Sequence, residues 1–103
     1  MTAASVLTEA LALIHSPNQW TKEAVAMDGK GKEVKPTDER AKRFDMVGAI
    51  QRVKSTPEDY GAAIRILRAQ CGKESIFEFN DWHGHKAVLK VMRRAIAAAE
   101  VLQ

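Results

Sequence analysis

The segment from residue 85 to residue 102, HKAVLKVMRRAIAAAEVL, limits the fold more than any other part of the chain. Val88, Met92, Ala95, Ala99 and Leu102 recur at helical spacing and form one apolar face, while Lys86, Lys90, Arg93 and Arg94 form a basic strip on the other. A helix of this kind is stabilised in a protein chiefly by burial of its apolar face, so the rest of the chain must cover it. With 103 residues there is enough chain for one domain with a single modest core. Only 6% of residues are aromatic and alanine is frequent, which favours close helix packing over a β-sandwich. The balance of 46% hydrophobic and 28% charged residues is that of a folded chain rather than a disordered one.

Upstream, the pattern predicts three more helices. Leu7, Ala10, Leu11 and Ile14 make the stripe of a helix near 3–15, which Pro17 ends by disfavouring a helical Ser16. His15 then reads as a surface residue at the helix end. Thr37 as N-cap, with Asp38 and Glu39 in the first turn, predicts a helix over 38–54. That helix is apolar on two sides, through Ala41, Phe44 and Val47 and through Met46, Ala49, Ile50 and Val53, so it is expected to be central. Gly48-Ala49 in its middle would admit another element's backbone closely. Arg40, Lys42 and Arg43 would lie in its N-terminal half, where the helix dipole disfavours them. Thr56-Pro57-Glu58-Asp59 opens a helix over 57–71, with Tyr60, Ala63, Ile64, Leu67 and Cys71 inward and Gly72 just past its end.

Two segments resist helical patterning. Residues 20–35 alternate imperfectly about the turn signals Asp28-Gly29 and Lys30-Gly31, which predicts a short β-hairpin between the first two helices. The glycines lack the spacing and the Lys-Ser/Thr of a phosphate-binding loop. Residues 75–81 are ambiguous between a short strand and a helical turn. They lead into Asn80-Asp81-Trp82 and His83-Gly84-His85, where the candidate site is placed.

Three stretches together resemble a family of small, uncharacterised bacterial and phage-associated domains, known only as a domain of unknown function. They are the Trp20-led segment with its Asp28-Gly29 turn, FDMVGAI at 44–50, and SIFEFND at 75–81 followed by VLKVMRRAI at 88–96. The resemblance spans roughly residues 7–97, and its most specific parts are Phe79-Asn80-Asp81 and Gly48-Ala49-Ile50. It implies a Gly-Ala-aliphatic helix and an Asn-Asp corner before the last helix, and no established activity. Where the family has a Gly-Arg-Thr-like step, this chain has His83-Gly84-His85, so Asp81 or His85 is expected to share in capping the last helix.

The chemistry is sparse. His83 and His85 with Asp81 offer a metal pair and a carboxylate, but zinc needs three or four directed ligands, and the plainer reading is a capped loop before the helix. Cys71, the only cysteine, rules out an internal disulfide and falls on a buried stripe rather than beside a base. No catalytic triad, carboxylate pair or dinucleotide fingerprint is legible, so an enzyme is the minority reading and no cofactor is expected. The N-terminus lacks the features of a signal peptide, and no apolar run approaches the roughly 20 residues that span a bilayer. A cytoplasmic protein with no membrane partner is expected.

These residues predict a mostly α, four-helix single domain over 1–103, with helices near 3–15, 38–54, 57–71 and 85–102 and a small hairpin. Residues 75–102 should fold onto the 44–53 helix. The expected function is non-catalytic binding or regulation through a protein partner, using Asn80, Asp81, Trp82, His83 and His85. A counter-defence protein of a phage is one concrete version. The alternatives are nucleic-acid binding by Lys86, Lys90, Arg93 and Arg94, consistent with a net charge of +3, and a His/Asp metal site.

Overall fold

Five α-helices and a two-stranded antiparallel sheet make up the computed structural model, which describes residues 1–102. In chain order these are α1 (Ala3–Leu13), β1 (Ala26–Asp28), β2 (Ala41–Phe44), α2 (Met46–Arg52), α3 (Pro57–Gln70), α4 (Ile76–His83) and α5 (His85–Val101), with one 3-10 turn at Pro17–Gln19. The mostly helical expectation holds, and so do the helices at both ends and the one over α3. α3 begins as read, with Thr56 accepting from the Asp59 amide and Pro57 in the first turn. Just past its end Gly72 takes φ +68°, a left-handed conformation that suits glycine.

The expected helix over 38–54 is the main correction. Only 46–52 is helical, and residues 41–44 form β2 instead. Ala41 and Phe44 are buried while Lys42 and Arg43 are exposed, and the strand pairs Phe44 with Ala26 and Arg43 with Met27. Thr37 does not cap. Asp38 instead accepts from the Arg40 amide in a local turn, and Asp45 becomes the N-cap, its Oδ1 accepting from the Gly48 amide at 2.6 Å. The cations of 40–43 therefore meet no helix dipole. The turn expected at Asp28-Gly29 is present, with Asp28 Oδ1 accepting from the Lys30 and Lys32 amides, both at 2.9 Å. The chain returns there only briefly, through Asp28 N–H to the Lys32 carbonyl and Val34 N–H to the Ala26 carbonyl about an antiparallel Met27–Glu33 bridge, and the longer paired arm is the later β2. Arg52 fastens the long connection by donating to the carbonyls of Pro36 and Asp38 while its guanidinium lies over the Phe44 ring.

The second correction is α4. Ser75 accepts from the Glu78 amide and Glu78 accepts from the Ser75 amide, a reciprocal box that starts a helix where strand and turn had stood level.

The core is contiguous. α1 buries Val6, Leu7 and Ala10 against α2, α3 and α5, and α5 buries Val88, Val91, Met92, Ala95 and Ala99. The stripe of α5 is thus covered chiefly by α1 and α3, not by the 44–53 segment as expected, and it is α4 that reaches α2. Leu102, placed on that stripe, is exposed. α2 is central as foreseen, since Met46 to Ile50 are all buried. Gly48 faces the Val25 carbonyl so closely that a Cβ there would lie 2.0 Å from its oxygen. The close approach read from Gly48-Ala49 is therefore real.

Candidate functional site

The Asn-Asp corner is built from α4 inward. Asn80 is 1% exposed, and every hydrogen-bonding position of its amide is filled. Its Oδ1 accepts from the Trp20 indole Nε1 at 2.9 Å and from the Met46 amide at 3.1 Å. Its Nδ2 donates to the Thr21 carbonyl and to Asp81 Oδ1, each at 3.1 Å. Two donors converging on one atom fix that atom as the oxygen, so the orientation of the amide follows from its partners. One side chain thereby ties α4 to the first turn of α2 and to the segment after α1. Asp81 Oδ1 extends the tie by accepting from the Glu23 amide at 2.9 Å, and Glu23 has a left-handed φ of 65°.

Beside this hub lies Asp45, 2% exposed. Burial, with a smaller push from the Asp81 charge, raises its carboxyl from the usual range to about 7, against the opposing pull of the Gly48 and Val47 amides. The sequence pointed to Asn80 and Asp81, but not to Asp45 or Trp20 as their neighbours. Asp45 stands before an apolar run as N-caps do, and that signal was masked by the stronger start at Thr37.

The two histidines diverge. His83 stacks on Phe79 with ring centroids 4.3 Å apart and meets Glu74 Oε1 at 2.6 Å. His85 Nε2 lies 2.7 Å from the Ile14 carbonyl, an acceptor only, so this nitrogen carries the proton. Its ring leans on Trp20 at 5.5 Å. Neither His85 nor Asp81 caps α5, contrary to expectation. Gly84 holds the cap position at φ 84° with no side-chain bond. Trp82 does not pack on Trp20 and is 69% exposed. Lys86, Lys90, Arg93 and Arg94 all lie exposed on α5, with Arg94 also donating to the Gln70 carbonyl at 3.4 Å.

The family model described as a family of unknown function (DUF6197) matches residues 1–98. The chain belongs to that family. No curated protein and no solved structure matches it. The match agrees with the resemblance to a domain of unknown function spanning most of the chain. In this DUF6197 chain the Asn80 side chain is an internal brace, and the groups left facing outward are Trp82, His83 and the cations of α5. Among the described residues no three His, Cys, Asp or Glu side chains are placed to hold a metal ion. No helix is long and apolar enough to cross a membrane. Cys71 is buried, its thiol pushed up to about 11 chiefly by burial, with the Glu74 charge adding to the effect. Such a thiol is held in its protonated, weakly nucleophilic form at neutral pH.

Proposed function

We propose that this protein is a non-catalytic binding or regulatory module that acts through a protein partner, in the bacterial or phage setting implied by the resemblance. The observation that supports this is Trp82, a large aromatic left 69% exposed on a helix whose inner side is held by Asn80. A rigidly presented tryptophan is the kind of residue on which interfaces concentrate their energy. Covering its exposed indole would recover on the order of 3 kcal/mol. The test is affinity purification from host lysate with wild type and Trp82→Ala. The expected result is a protein held by wild type and lost from the variant, with the melting temperature unchanged. Equal recovery by both would count against the reading.

A second reading has the exposed Lys86, Lys90, Arg93 and Arg94 engage nucleic-acid phosphates, which their common face on α5 favours. No exposed aromatic is interleaved among them to stack on bases. It requires a mobility shift at low salt that is lost steeply as salt is added, and absence of any shift would end it.

A further inference from the structure

Between α2, α3 and the start of α4 an open groove of about 380 Å³ interrupts the covered surface. Val47, Tyr60, Ile64 and Phe77 give it an apolar lining, and Phe77 remains 50% exposed there. Arg68 is the one charged side chain in the lining. Its guanidinium is exposed and has no hydrogen bond or ion pair with any described residue. The carboxylates next along the chain are engaged elsewhere, Glu74 with His83 and Glu78 with the Ser75 amide. At the far end the Tyr60 hydroxyl accepts from Gln51 Nε2 at 3.3 Å and keeps its own proton to donate. An apolar trough whose only full charge is an unpaired arginine is complementary to an apolar surface that brings a carboxylate.

We propose that this groove docks an amphipathic, acidic segment of a partner protein. Its apolar side chains lie between Val47, Ile64 and Phe77, and an aspartate or glutamate pairs with Arg68. The inference rests on the protein-binding reading above and adds the seat and the chemistry of the partner. Helices laid into apolar grooves use such spaced anchors. A carboxylate on arginine makes two parallel charge-assisted bonds, which strengthen as the groove loses water. The net charge of +3 would draw an acidic partner from a distance.

The experiment selects a displayed peptide library against the intact protein, then titrates synthetic versions of the enriched peptides by NMR. Enriched sequences should combine two or three apolar residues at helical spacing with Asp or Glu, and shift changes should centre on Val47, Ile64 and Phe77. Arg68→Glu should weaken binding about tenfold or more while the protein stays folded, its melting temperature falling only slightly because Arg68 lies in the last turn of α3, and a peptide with Lys in place of its acid should regain affinity for that variant. Failure to enrich peptides, enrichment of peptides lacking an acid, or equal binding by Arg68→Glu would overturn the proposal. The lysate experiment separates the two readings. A partner lost with Trp82→Ala but kept by Arg68→Glu ends the groove proposal and leaves the protein-binding reading standing. A partner kept by both variants overturns both.

Discussion

Asn80 shows how much of the architecture can hang on one amide. Removing it as Asn80→Ala leaves the Trp20 indole N–H, the Met46 amide and the Thr21 carbonyl without partners in a buried place. Each such orphan costs roughly 1–3 kcal/mol, so a loss of about 4 kcal/mol is expected, read as a lower urea midpoint. Asn80→Asp should do better in acid than at neutral pH. Its carboxylate would accept from Trp20 and Met46 but face the Thr21 carbonyl and Asp81, and only the protonated form has an O–H to donate, to one of the two. The sequence drew attention to Asn80 because Asn and Asp favour turns and caps. Its partners lie 60, 34 and 59 positions away, which no local pattern can encode.

Among the elements, α4 carries both Asn80 and Trp82, and it depends on its start. Ser75→Ala removes the acceptor for the Glu78 amide and should cost about 1 kcal/mol, measurable as a fall in melting temperature. The Ser-x-x-Glu signature was legible at Ser75 and Glu78. The alternation of Phe77 and Phe79 competed with it, and only tertiary contact of α4 with α2 and α5 settles the contest. α2 was misjudged for the opposite reason. Ala41, Phe44 and Val47 satisfy a helical period, whereas no strand period of two puts Ala41 and Phe44 on one side; an irregularity in the register with β1 does so, and no local pattern encodes it. What sequence did convey about α2 was its glycine. Gly48→Ala should destabilise by several kcal/mol or prevent folding, because its methyl would meet the backbone of Val25 rather than a movable side chain. Circular dichroism of the purified variant would show this, and an unchanged melting curve would refute the close approach.

The molecule as a whole should respond to pH through its buried carboxyl. In the folded state Asp45 holds its proton up to about 7, whereas its ordinary value is 3.8. The benefit of burying it neutral is complete below pH 3.8, declines as pH rises, and is gone above the folded value. The difference amounts to about 4 kcal/mol. Asp38 acts in the other window, since the Arg40 hydrogen bonds lower its carboxyl to about 2, and its contribution is lost as pH falls towards that value. Urea titrations should therefore show stability falling between pH 4 and 7. Asp45→Asn, which keeps an oxygen for the Gly48 amide but has no proton to lose, should flatten that fall and leave the acid limb intact. The two tryptophans then give the fold two built-in optical channels. Trp20 is half buried and bonded to Asn80, so its emission should change only when the molecule unfolds. Trp82 emits from water and should be open to collisional quenching by iodide, so loss of that quenching, without a change at Trp20, would register a partner arriving on α4.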